Sequence, residues 1–265
     1  KNNSLPQSTC ISVFWTDGVG MRRAIYYHVS NMNHWREVVA EQLRLLRGCP
    51  HPVRIGFSGP KAESGYIYHV ATALGLNFEI MFTDSWTGNF EFPTLARLWD
   101  DCKAGTVDQV AYFHTKGVSR VGCWHTTLWR WIMNAHVVAG WRKAFDALEG
   151  HAWAAPVLSG GLGDSLIHSC GNFWTAQASH IAGLPSIPAF RDGWPRYQHV
   201  RRIPDWCEER HAAEVWIGSN AGHLKQLHAD KDCDISNAKF WIRRADMQQW
   251  AYLHGCVGDP IPEIL

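Results

Sequence analysis

Three polar residues at the end of one apolar run carry the clearest chemistry in this chain. Val110-Ala-Tyr-Phe113 is made of strand formers and stops at His114, Thr115 and Lys116, after which Gly117 lets the chain turn. Polar groups at the carboxyl end of a strand in an α/β protein lie where such folds take their ligands. An ammonium and an imidazole held there suit an anion such as a diphosphate. Two later segments add groups of other kinds. Ser169-Cys-Gly-Asn-Phe-Trp-Thr-Ala176 offers a glycine, a neutral amide and large aromatics, and Ala213-Glu-Val-Trp-Ile217 offers a carboxylate beside an indole. Without further context, His-Thr-Lys-Gly is also an ordinary turn after a strand.

Those groups need a frame, and the chain supplies alternating strands and helices. Cys10–Trp15 reads as a first strand, ahead of Asp17-Gly18. Trp35, Val38, Val39, Leu43 and Leu46 form one apolar helical stripe, with Asn33 placed to cap it and Gly48 to stop it. Val53–Phe57 is a second strand, Tyr66–Leu74 a helix, and Asn77–Phe82 a third strand reaching Thr83-Asp84. Pro93 starts a helix through Leu95, Leu98, Trp99 and Cys102, closed by Gly105. Val110–Phe113 is the fourth strand. A long helix is expected over Trp124–Leu148, with Leu128, Trp131, Ile132, Ala135, Ala139 and Phe145 on one face. Trp153–Leu158 and Asn172–Ala176 read as later strands, separated by the glycine-rich Ser159–Gly163. Pro185–Trp206 reads as a long functional loop, Glu209–Ile217 as a helix and Phe240–His254 as a final amphipathic helix. This alternation argues for an α/β layered sheet.

Composition narrows the options. At 265 residues the chain can bury a sizeable core. Lys+Arg 25 against Asp+Glu 24 gives net charge +1, so nothing global favours nucleic acid or an anionic membrane. No apolar run approaches the ~20 residues of a membrane span. Lys1–Gln7 has no signal-peptide pattern, and a start at lysine suggests an excerpted or processed chain. The 8 cysteines stand singly with no C-x-x-C pair, which speaks against structural zinc and for reduced thiols in a cytosolic setting. The 15 tryptophans fit either a core rich in large aromatics or surfaces that stack on sugar rings.

In order and spacing, Tyr112-Phe-His-Thr-Lys-Gly117, Gly171-Asn-Phe-Trp-Thr-Ala176 and Ala213-Glu-Val-Trp-Ile217 resemble the YLHTKG, GNFWWA and AEfWi motifs of a bacterial polysaccharide and capsule glycosyltransferase family of GT-A type. The likeness includes the helix Asn33-His-Trp-Arg-Glu-Val-Val-Ala-Glu-Gln-Leu43 and covers about residues 10–220. It departs from the family pattern at Thr175, where a second tryptophan is usual, and after Ser219, where the tail has no counterpart. The resemblance implies an α/β, GT-A-like (Rossmann-related) mixed central sheet flanked by helices in a single domain, residues 8–220, with 221–265 as a C-terminal extension packed on it. It implies a hexosyltransferase that moves a sugar from a nucleotide-diphosphate donor (UDP-, GDP- or dTDP-sugar) to an oligo- or polysaccharide acceptor, lipid-linked acceptors included. Such an enzyme works in the cytoplasm or at the membrane periphery, with no transmembrane segment and no nucleic-acid partner.

Residue roles follow from the same resemblance. Most GT-A enzymes end the strand corresponding to Val110–Phe113 in Asp-x-Asp, which holds a divalent metal and through it the donor diphosphate. Here His114-Thr-Lys116 stands there, so Lys116 would supply the charge for the leaving group and His114 a hydrogen bond, with no metal required. Alternatively His114 is a metal ligand, assisted by Asp84 or another carboxylate. Asp230, Asp232 and Asp234 follow no strand and read as solvated surface. Gly171 would let the backbone approach the ligand, Asn172 would bind sugar hydroxyls, and Trp174 and Trp216 would line the sugar site. The other reading of these aromatics is core packing. Glu214 is the candidate general base for inverting transfer; otherwise it complements a helix N-terminus, as Glu208 and Glu209 also would. Thr16 and Asp17 would seat the nucleotide base and ribose, with Asp84 as a second nucleotide contact, or either aspartate is a turn residue. Arg130, in the helix opened by Trp124 and His125, would bind a phosphate; otherwise it is an exposed helix charge or pairs with a nearby carboxylate.

Two other functions compete. A catalytically inactive carbohydrate-binding protein would explain the tryptophans but leaves Lys116 and Glu214 without a task. A metal-dependent hydrolase fits poorly, because the 15 histidines form no H-E-x-x-H or H-x-H cluster. No G-x-G-x-x-G follows the first strand, which speaks against a dinucleotide-dependent dehydrogenase.

Overall fold

The computed structural model describes residues 20–85, 87–162, 166–200, 209–220 and 222–227. Its first strand is β1 (Arg23–Ser30), whose six central residues, Ala24 to Val29, are all buried. Its continuous run of strand formers is what a strand covered on both faces looks like, and the expectation of a first strand at Cys10–Trp15 passed over it. The strand expected at Cys10–Trp15 lies outside the described residues. From there the expected alternation holds: α1 (Trp35–Leu45), β2 (Val53–Ser58), α2 (Gly65–Ala73), β3 (Phe78–Asp84), α3 (Phe92–Lys103) and β4 (Gln109–His114). Asn33 does not cap α1; its side-chain amide donates to the Val118 carbonyl at 2.7 Å instead.

The second half differs more from expectation. The long helix is cut into α4 (Trp124–Met133), a π-helical stretch Asn134–Ala139 and α5 (Trp141–Asp146), with Gly140 at the break. A Cβ on Gly140 would meet the Ala135 carbonyl oxygen at 2.5 Å, so the chain closes there only without a side chain. The strands β5 (Trp153–Ala155), β6 (Leu158–Leu162), β7 (Leu166–Ser169) and β8 (Trp174–Gln177) follow, then α6 (Ala178–Gly183). The expected loop from Pro185 is largely a helix, α7 (Ile187–Val200), which tolerates Pro195 inside it. Buried Ile187, Phe190 and Trp194 recur at helical spacing and anchor it. The helix α8 (Glu209–Trp216) and strand β9 (Leu224–Gln226) complete the described elements. The expected helix Phe240–His254 and Asp230, Asp232 and Asp234 lie outside them. Among the described residues, no helix is long and apolar enough to cross a membrane.

Seven strands form one mixed sheet in the order β3-β2-β1-β4-β8-β5-β9, and β6 and β7 pair separately. The strands β1 to β4 run parallel, whereas β8 runs antiparallel to both β4 and β5. Helices cover both faces, giving a Rossmann-like α/β layering. One core lies between the sheet and α1, α2 and the α4–α5 region, around Tyr27, Phe57 and Phe113. The other lies between the sheet and α3, α6, α7 and α8, around Tyr26, Tyr112, Trp174 and Trp216. Successive strand residues face opposite cores, so His28 and His114, paired in register on β1 and β4, share the α3 side. Connections from β1 run to β2 and β3 on one flank, while β4 lies on the other. The carboxyl ends of β1 and β4 thus border the reversal in strand order, where open α/β sheets leave a crevice.

Candidate active site

His114 ends β4 at that strand-order reversal, and both of its ring nitrogens are engaged by the protein. Nδ1 lies 2.8 Å from Glu91 Oε1 and Nε2 lies 3.0 Å from the Gly171 carbonyl oxygen. An ionised carboxylate and a carbonyl only accept hydrogen bonds, so the two contacts are complete only when both ring nitrogens carry hydrogen. Glu91 is the N-cap residue of α3, and it also accepts from Asn172 Nδ2 and, at 3.4 Å, from Tyr112 Oη. Burial pushes the Glu91 carboxyl up, but His114, through charge and hydrogen bond, then His28 and Lys116, outweigh it and bring it to about 2. Glu91 is therefore a carboxylate at neutral pH.

The residues opposite come from the tight turn between β7 and β8. Gly171 has φ +85°, and a Cβ there would stand 2.5 Å from Trp129 Nε1. Only glycine allows this approach, which aims the Gly171 carbonyl at His114. Asn172 follows at φ +56°, a conformation asparagine tolerates. Its amide spans from Glu91 to the Trp174 indole, which donates to Oδ1 at 2.8 Å.

Lys116 reaches across to α8, where Nζ lies 3.3 Å from Glu214 Oε1, although the two are 98 residues apart. Both side chains remain partly open, 22% and 25% exposed, unlike the buried groups beneath them. Glu214 lies in the last turn of α8, so it sits against the helix dipole and does not complement an N-terminus. Burial raises its carboxyl, yet Lys116, aided by His114 and His168, holds it below the usual carboxylate range.

The main chain of this segment is gripped from the opposite face of the sheet. Gln42 Nε2 on α1 donates to the His114 carbonyl at 3.0 Å and to Asn134 Oδ1 at 3.0 Å, while its own Oε1 accepts from Tyr27 Oη. Arg130 Nη1 donates to the Lys116 carbonyl at 3.1 Å, and Nε and Nη2 each donate to Glu41 at 3.0 Å. Asn134, in the π-helical stretch, donates to the same carboxylate at 2.8 Å. Thr115 ties the end of β4 to β1, accepting from the Ser30 amide at 3.0 Å.

A family model described as a domain of unknown function, DUF8361, matches residues 24–230. The chain belongs to the DUF8361 family. No curated protein matches it. The family region spans Glu91, His114, Lys116 and Glu214 together, whereas Thr16 and Asp17 precede it.

The expected residues of this DUF8361 domain are not all where chemistry would use them. Lys116 and Glu214 meet beyond the carboxyl end of β4. His114 lies beside them but has no ring nitrogen left to donate to a phosphate or to hold a metal. Of the three roles expected for Arg130, the carboxylate partner is the one brought to it, and at 6% exposure its side chain is not the exposed helix charge also expected. Trp174 and Trp216 are fully buried; Trp174 stacks on Tyr112 at 5.1 Å and Trp216 donates to the Pro185 carbonyl. They belong to the core, in place of the sugar-stacking surfaces expected. Asp84, at the end of β3, accepts from Asn89 at 2.7 Å and lies close enough to His28 to bias its protonation. Thr16 and Asp17 lie outside the described residues. Among the described residues, no group of three His, Cys, Asp or Glu side chains is placed to hold a metal ion.

Glu91, Gln42 and Glu41 were not expected in the site. Gln42 had a readable signal: it interrupts the buried stripe Trp35, Val38, Val39, Leu43 at a position that itself faces the core. A polar residue there requires partners. Glu91 had only its place before Phe92-Pro93, an acid at a helix start, which dipole complementarity alone explains.

Proposed function

We propose that this protein is a glycosyltransferase of GT-A type that moves a sugar from a nucleotide-diphosphate donor to a glycan acceptor with inversion. The observation that carries the reading is the meeting of Lys116 and Glu214, from distant parts of the chain, at the carboxyl ends of parallel strands beside the reversal in strand order. Inverting transfer needs a cation where the diphosphate departs and a carboxylate where the acceptor loses its proton. Glu214 takes the acceptor hydroxyl proton as that oxygen bonds to the anomeric carbon. The bond from that carbon to the diphosphate oxygen breaks, and the electron pair leaves with the diphosphate, which Lys116 stabilises. His114 anchors the Gly171 turn and Glu91, and it does not touch the phosphate. In this scheme Lys116 does the work that Asp-x-Asp and its metal do elsewhere. The sheet order with one antiparallel strand next to β4 supports a GT-A-like assignment, and the burial of Trp174 and Trp216 weakens the reading as a binding-only module, which needed those rings as platforms.

A screen of nucleotides and nucleotide sugars by thermal shift, with and without manganese, tests this reading. A ligand bound by the native state raises the melting temperature. One nucleotide diphosphate should stabilise the wild type but not Lys116→Ala, and its sugar derivative should be consumed by the wild type but not by Glu214→Gln. Activity abolished by EDTA and restored by manganese would overturn the metal-independent scheme.

A further inference from the structure

In the resting protein, Lys116 and Glu214 occupy each other, although transfer requires both groups apart. We propose that this ion pair is a latch that makes acceptor activation wait for the donor. A bound diphosphate draws the Lys116 ammonium off Glu214, and only then is the carboxylate available to an acceptor hydroxyl. The inference rests on the transferase reading above and adds the order of events to it.

Three features support a latch. First, the main chain around Lys116 is fixed by Arg130 and Gln42, so the ammonium moves on its own four-carbon stem with no rearrangement of the strand. Second, both partners are about a quarter exposed, so an anion in solution can reach the ammonium. Third, the groups facing Glu214 leave it dependent on Lys116. Burial and Glu91 favour its neutral form, while Lys116, His114 on β4 and His168 on β7 favour the carboxylate, with Lys116 the strongest of these three. A diphosphate that neutralises Lys116 removes that largest restraint. Glu214 then becomes a stronger base at the moment a base is needed. Its place in the last turn of α8 acts in the same direction.

Inorganic pyrophosphate, titrated calorimetrically into the intact chain, tests the latch apart from any transfer activity. Removing the competing carboxylate in Glu214→Gln should tighten pyrophosphate binding roughly tenfold, within the usual range of coupling between sites. In a Lys116→Met background the same substitution should change nothing, because the gain passes through Lys116. Equal tightening in both backgrounds would mean simple relief of repulsion, and equal affinity of wild type and Glu214→Gln would mean no competition; either overturns the latch while leaving the anion site standing. Where the Lys116→Met proteins bind too weakly to titrate, proton uptake decides. The wild type should take up more protons on binding near pH 5 than Glu214→Gln does, and equal uptake overturns the proposal. If pyrophosphate binds none of the proteins, the donor site of the transferase reading falls, and the latch falls with it.

Discussion

Arg130 donates to the carbonyl oxygen of Lys116 at 3.1 Å while its other guanidinium nitrogens are held by Glu41. The residue that presents the ammonium is thus fixed, through its backbone, by an ion pair on the far side of the sheet in which Arg130 is buried and Glu41 half-buried. Removing Arg130 leaves Glu41 half-buried with, among the described residues, only Asn134 donating to it. Arg130→Met should therefore lose about 1 to 3 kcal/mol of stability in urea denaturation, between the cost of an exposed and a buried pair. Arg130→Lys should fall between it and the wild type, because one ammonium cannot span both Glu41 oxygens and the carbonyl. A wild-type-like midpoint for Arg130→Met would show that the pair carries no weight.

Acid should destabilise the protein in two separable windows. Burial lowers His28 to about 4, so the unfolded chain binds the extra proton first. Stability from the neutral His28 is full above about pH 6.5 and declines as pH falls towards 4. Glu91 is also lowered, to about 2, and its contribution is full above about pH 4.5 and declines as pH falls towards 2. Stability measured against pH should therefore fall less steeply between 6.5 and 4 in His28→Asn, part of the remaining slope coming from His51, which burial also lowers to about 4. It should flatten below 4.5 in Glu91→Gln. Curves parallel to the wild type in those windows would refute both assignments.

Gly171→Ala meets two obstacles at once. Its φ of +85° disfavours any side chain, and the added methyl collides with the Trp129 indole. A loss of about 1 to 3 kcal/mol is expected by chemical denaturation, with displacement of the carbonyl that accepts from His114. An unchanged His114 ring-nitrogen spectrum in this variant would contradict that link.

In a transfer assay, Glu214→Gln should lower kcat by roughly 10²-fold or more while nucleotide binding survives. Lys116→Ala should lose both. A fully active Glu214→Gln enzyme would remove Glu214 from the reaction and leave the base to be sought elsewhere.

The first half of the fold was legible because its helices are amphipathic and its breaks carry glycine. Gly48 and Gly105 end α1 and α3 with positive φ, as their positions suggested. The strand β1 carries the same continuous apolar run as β4, the mark of a strand covered on both faces, and the expectation of a first strand at Cys10–Trp15 passed over it. In α7 the prolines suggested a loop, but tertiary contacts of Ile187, Phe190 and Trp194 prevailed over local propensity. The site was legible where a residue type has one obvious use, as with Lys116 and Glu214. It was not legible where use depends on a neighbour. Nothing local tells whether a tryptophan in a strand faces a ligand or the core, and Trp174 faces Tyr112.

Two layers of side chains hold residues 114–116, one gripping His114 and Lys116 by their side chains and the other gripping the peptide carbonyls behind them. Selection for activity should then be felt at the back of the molecule as strongly as at the front. In a saturation-mutagenesis profile, positions 41 and 42 of α1 should be as intolerant as position 214, although neither would touch a ligand.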